Sequence, residues 1–105
     1  MNILHHTIDL NKQIDGNISA ANRETFERIW RRYPRRVGKS AAARAFERIP
    51  QSDWYLIEFA LIHFGNEMSE REPRYIPHAA TWLNQRRYEY YRPAFNDWEA
   101  DTETA

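Results

Sequence analysis

Apolar positions recur along this chain at helical rather than strand spacing. Phe26, Ile29, Trp30 and Tyr33 fall at i, i+3, i+4 and i+7, one stripe of a helix predicted over Ala20 to Tyr33. Ser19 or Asn22 suits its start, and Pro34 ends it by removing an N–H and biasing Tyr33 away from helical geometry. A second helix is predicted from Ser40 to about Ile49, with Ala42, Ala45, Phe46 and Ile49 inward; its alanines favour helix and permit close approach. Pro50 closes it. A third runs from Asp53 to about Asn66 or Glu70, with Ser52 as its N-cap. Trp54, Ile57, Leu61 and Phe64 make one stripe on it, and Tyr55, Phe59 and Ile62 a second. A helix apolar over most of its girth is either central to a bundle or offers one face to a partner. Pro77 suits the first position of a fourth helix reaching about Tyr90, with Ala79, Ala80, Leu83 and Trp82 as its inward candidates. The pattern predicts an all-α fold, a compact bundle of about four helices over residues 19–92. Weak periodicity and the turn signal Asp15-Gly16-Asn17 mark 1–18 as a leader, either partly disordered or laid across the body. Residues 93–105 read as an acidic tail whose start Phe95 and Trp98 can pin.

Composition narrows the class. No apolar run approaches the ~18–20 residues that cross a bilayer, so no membrane partner is expected. The opening MNILHHTIDLNKQ lacks the basic start and apolar stretch of a signal peptide. There are no cysteines, hence neither disulfides nor thiolate metal sites. A cytoplasmic address follows as the expectation.

The net charge is zero, but the charges are segregated. Nine basic residues between Arg23 and Arg48 meet only Glu24, Glu27 and Glu47, a surplus of six. Acids gather between Asp53 and Glu72 and again at Asp97, Glu99, Asp101 and Glu103. Such asymmetry fits a basic surface for phosphates, or a solvated face whose arginines pair with acids elsewhere. Arg31, Arg32, Arg35 and Arg36 lie off the first helix's apolar stripe, and Lys39 follows in the link. Guanidinium groups suit phosphate because they stay charged and offer paired donors. Further on, Arg86 and Arg87 sit among Trp82, Tyr88, Tyr90 and Tyr91, and interleaved arginines and aromatics are what single-stranded bases stack against. Trp82 and Tyr88 are the stacking candidates. In the alternative, Trp82 and Tyr90 belong to the core while Tyr88 and Tyr91 cover the bundle's end.

Catalytic signatures are absent. His5-His6, His63 and His78 have no metal-ligand spacing, no carboxylates pair as acid and base, and no serine sits in a nucleophile elbow. Gly38-Lys39-Ser40 ends like a phosphate loop, but Tyr33 stands where the first glycine belongs, and no strand precedes it. One phosphate at that helix start is compatible with the sequence; an NTPase is not. Neither enzyme nor cofactor nor metal is expected.

Two segments carry a resemblance. FERIWRRYPRRVGKSAAARAF, Phe26 to Phe46, resembles the F-x-x-F-W-x-x-Y-P stretch, followed by two basic residues and x-G-K, of the C-terminal domain in many phage and prophage replication proteins. YIPHAATWLNQRRYEYY, Tyr75 to Tyr91, is similar to that domain's closing I-P-x-x-A-T-W-L-N motif, with Tyr88 where the family usually has Trp. By position the matched residues are Trp30, Tyr33, Pro34, Arg35, Arg36, Gly38, Lys39 and Ala43, then Pro77, Thr81, Trp82, Leu83, Asn84 and Arg87. The resemblance implies a helical domain tied to replication initiation and helicase loading in a bacterial host cell. In that family the domain follows a winged-helix or initiator region, so residues 1–18 suggest an orphan copy.

The leading expectation is a replication accessory protein that binds single-stranded nucleic acid, the replicative helicase, or both. Phosphates would fall to Arg31, Arg32, Arg35, Arg36, Lys39, Arg86 and Arg87. One alternative is an inhibitor of a host defence or replication protein, acting by protein contact through Tyr55, Phe59 and Ile62 or through the acidic tail. Another is a homodimer or larger scaffold built on the same stripe.

Overall fold

The structure, a computed structural model, describes residues 20–104; the expected leader and His5-His6 lie outside them. The first helix, α1, spans 20–32 and buries Phe26 and Ile29. Tyr33 follows on the same face, its N–H still donating to the Ile29 and Trp30 carbonyls. Gly38 turns the chain in the left-handed region at φ 76°, which only glycine adopts freely, and α2 (Lys39–Glu47) starts directly after it. Fully buried Ala42 and Ala45 let α2 lie close, and it packs chiefly on α4 (Ala79–Asn84), which buries Ala79 and Leu83.

Pro50 stops α2, and a single 3-10 turn, Gln51–Asp53, leads into α3 (Trp54–Glu67). The expected Ser52 cap is not made. Ser52 lies exposed within the 3-10 turn, and Asp53 holds the N-cap position without capping α3, its carboxylate engaging Arg92 instead. α3 is the central helix: Leu56, Ile57, Ala60, Leu61 and Phe64 are buried. Its outer stripe is only partly covered.

The fourth helix is shorter than its pattern predicts. α4 ends at Asn84, and Arg86 takes a left-handed turn at φ 52°. The chain continues as a 3-10 turn, Arg87–Tyr91, and then as α5 (Arg92–Thr104). Residues 93–104 are thus a fifth helix rather than a tail. Pro93 sits in its first turn, where a missing N–H costs nothing. Phe95 is buried, and Trp98 packs at i+3 beside it against Phe59 of α3. The fold is all-α, with five helices and no strand among the described residues.

The core is unusually aromatic. Tyr33, Phe64, Trp82 and Tyr88 form a chain of rings whose centroids stand 5.3 to 5.9 Å apart. Two polar bonds close the link after α1 over this cluster. The Tyr33 hydroxyl donates to the Pro77 carbonyl at 2.7 Å, and the Arg35 guanidinium donates to the neighbouring Ile76 carbonyl at 2.9 Å. These bonds clasp the Tyr-Pro-Arg-Arg link to the Tyr-Ile-Pro segment ahead of α4.

Candidate nucleic-acid interface

The basic residues singled out by the sequence divide into those with structural duties and those facing solvent. Arg35 is half-buried and spent on the Ile76 carbonyl. Arg36 reaches back to the Arg31 carbonyl at 2.8 Å, satisfying an orphan acceptor at the end of α1 while its guanidinium stays at the surface. Lys39 pairs with Glu27 at 3.0 Å. Arg31, Arg32, Arg86 and Arg87 are exposed, and among the described residues none of the four enters a salt bridge. Arg87 makes one local contact, to the Gln85 side chain at 2.8 Å. Arg31 shares a shallow face of α1 with Arg23, Glu24, Glu27 and Arg28, of which Arg28 pairs with Glu58 on α3.

Tertiary structure brings the two basic segments together. Burial pushes the Tyr33 hydroxyl well above the ordinary tyrosine range, while Arg87 and Arg35 both pull it down. Arg35 lies beside this hydroxyl because the two groups bond adjacent carbonyls, those of Ile76 and Pro77. The Tyr33 ring packs on Trp82 at 5.8 Å, and Trp82 lies beside Arg86 and Arg87, so the link and the turn after α4 share one aromatic support.

Two of the expected stacking residues are corrected. Trp82 and Tyr88 are 1% and 0% exposed, so neither presents a ring to a ligand. Tyr90, assigned to the core in the alternative reading, is instead 80% exposed. The helical break at Arg86 explains the exchange. Beyond it the chain winds at three residues per turn, so Tyr88 and Tyr91 share the inward face and Tyr90 turns out. Pro93, a helix-start residue, was the sequence signal that a new element begins there. Arg86, Arg87 and Tyr90 line a shallow cleft of about 330 Å³ with Phe64, Trp82 and Tyr91.

The outer stripe of α3 lies elsewhere. Tyr55 and Ile62 are exposed, whereas Phe59 is half-buried beneath Phe95 and Trp98. The α5 helix converts the expected flat stripe into a groove of about 690 Å³, lined by Tyr55, Phe59, Ile62, His63, Phe95 and Trp98 and rimmed by Arg32, Glu58 and Glu99.

Among the described residues, no three His, Asp or Glu side chains gather as a metal-binding group. No described helix is long and apolar enough to cross a membrane.

The fold and these surfaces define a small helical domain with a basic face and a separate apolar groove. Residues 21–86 match the family described as the Legionella vir region protein LvrA C-terminal domain, and the chain belongs to that family. The matched span runs from α1 to the left-handed Arg86 and stops short of α5. No curated protein and no solved structure matches the chain.

Proposed function

We propose that this chain is an accessory domain of a phage-type replication system that binds single-stranded nucleic acid through its basic face, with the replicative helicase as its protein partner. The observation that carries the reading is the clasp: Tyr33 and Arg35 bond the Pro77 and Ile76 carbonyls, and the Tyr33 ring packs on Trp82, which lies beside Arg86 and Arg87, so both basic segments are fixed to the same aromatic cluster. Arg31, Arg32, Arg36, Arg86 and Arg87 supply the phosphate contacts, which give affinity without reading sequence. Arg35 helps by charge but is held by its bond to Ile76. The role assigned is binding, not catalysis, and no cofactor is part of it.

Fluorescence-anisotropy titration of labelled single- and double-stranded DNA at several salt concentrations tests the reading. Binding should weaken with a log–log slope of ~0.7 for each single-strand phosphate contact. Arg31→Glu/Arg87→Glu should weaken binding at least about tenfold and flatten that slope, because both side chains are exposed and neither supports the core. No binding at low salt would remove the nucleic-acid role.

The α3–α5 groove favours a second reading, protein contact in the manner of an inhibitor or adaptor. Its apolar lining and the exposed acids Asp97 and Glu99 on α5 fit an amphipathic partner helix with basic flanks. Two copies meeting groove to groove would set the acids of α5 against each other, which disfavours a homodimer. Light scattering should return a monomer; a dimer abolished by Ile62→Glu would support the scaffold instead.

A further inference from the structure

We propose that the cleft formed by Arg86, Arg87 and Tyr90 seats one unpaired base of a nucleic-acid strand, with the Tyr90 ring as its stacking platform. The proposal rests on the nucleic-acid reading above and assigns it a place and a preference for single strands. Tyr90 is 80% exposed, yet its ring is held. It meets Tyr91 edge to face, at 5.1 Å between centroids and 86° between planes. Tyr91 is itself fixed, because its hydroxyl donates to Glu67 at 2.6 Å. An aromatic ring anchored along one side and otherwise open is a preformed surface for a base, and stacking there costs little ordering.

The surrounding groups complete the chemistry. Phe64 backs the cleft with an apolar edge over the buried Trp82, and Arg86 and Arg87 supply cations for the phosphates flanking a bound base. The Arg87 Nε is committed to Gln85, and no other side-chain bond of its guanidinium occurs among the described residues. The backbone at Arg86 is fixed on both sides: its N–H donates to the Leu83 carbonyl and its carbonyl accepts from the Glu89 N–H, each at 3.0 Å. The Glu67 carboxylate accepts the Tyr91 hydroxyl. A base stacked within a duplex cannot enter such a cleft, whereas a base in a single strand turns out at little cost.

The test uses the full chain and an oligothymidylate carrying one 2-aminopurine, whose fluorescence falls when the base stacks. The same strand is tried in deoxy and ribo form and as a duplex. Wild type and Tyr90→Phe should bind the single strand with quenching, and Tyr90→Ala should lose about tenfold in affinity and most of the quenching. The duplex should bind more weakly and be indifferent to Tyr90. The better of the deoxy and ribo strands identifies the natural source of the base. A Tyr90→Ala chain that binds and quenches like wild type would overturn the cleft while leaving the arginine contacts standing. A duplex equally sensitive to Tyr90 would overturn it too. Absence of salt-sensitive binding by wild type would defeat both readings. Thermal melts of the variants, expected to coincide with wild type because Tyr90 is exposed, separate lost binding from lost folding.

Discussion

Arg86 stands at φ 52° and ψ 41°, just beyond the end of α4, where glycine or asparagine is the usual choice. A side chain there costs roughly 1 kcal/mol, because the Cβ crowds the backbone in the left-handed region. Local strain of this kind is worth keeping where the side chain has a task. Arg86→Gly should therefore stabilise the domain by up to about 1 kcal/mol in urea denaturation, less whatever entropy glycine costs the folded state. The same variant should weaken single-strand binding in the anisotropy assay. A loss of stability would mean that the arginine packs in a way its exposure conceals. Tyr33 makes the opposite case. Its ring is fully in the core, but its hydroxyl donates to the Pro77 carbonyl across the clasp. Tyr33→Phe should cost about 1 kcal/mol, the net worth of one such bond, with little effect on phosphate contacts.

At the scale of elements, one guanidinium adds a polar tie to the aromatic docking of α5. Arg92 donates to both Glu89 carboxylate oxygens at 2.8 Å and to Asp53 at 3.3 Å, tying α5 to the two 3-10 turns. The Arg92 bond holds the Glu89 carboxyl below the ordinary carboxylate range. A depressed folded-state pKa contributes stability that is present above the ordinary range and lost as pH falls through the folded value. Docking of α5 should therefore loosen in acid, visible as faster amide exchange in α5 below about pH 4. Arg92→Met should loosen it at neutral pH, because Asp53, 9% exposed, loses its hydrogen-bonding cation. Asp53→Asn should recover part of the loss. The sequence made some of this architecture legible and concealed the rest. The stripe Phe26, Ile29, Tyr33 and the prolines at 34 and 50 placed α1 and α2 nearly where they lie, since local sterics decide those boundaries. The break at Arg86 was hidden because arginine is not a turn residue. With the break hidden, helical spacing carried on past Asn84 misplaced Tyr88 and Tyr90. The acidic run after Pro93 concealed α5, whose helicity rests on the tertiary contacts of Phe95 and Trp98 with Phe59.

Taken whole, the molecule has no net charge, so any affinity for nucleic acid has to come from local segregation of charge rather than a general field. That segregation depends on the aromatic core, because the Tyr33 clasp and the Tyr88–Tyr91 turn hold the basic segments in place. Burial raises the hydroxyls of Tyr33, Tyr88 and Tyr91 above the ordinary tyrosine range, and for Tyr91 the bond to Glu67 adds to it. A raised folded-state pKa gives stability that is complete below the unfolded value, near 10, and is lost as pH climbs towards the folded one. In that window a tyrosine with a large shift removes about 1.4 kcal/mol per pH unit, so Tyr33 and Tyr91 together remove about 3, and Tyr88 acts in the same direction. A domain of this size has roughly 5–15 kcal/mol to lose, which places alkaline unfolding within one to a few pH units above the ordinary tyrosine range. Circular dichroism followed from pH 9 to 12 should show a single cooperative loss of helix, with tyrosinate absorbance near 295 nm rising in the same step. Tyr33→Phe should make the loss shallower, since one of the three titrating hydroxyls is gone. Helix that persists while all the tyrosines ionise would show that the hydroxyls are open to solvent, and the clasp over the core would then not be what holds the basic face together.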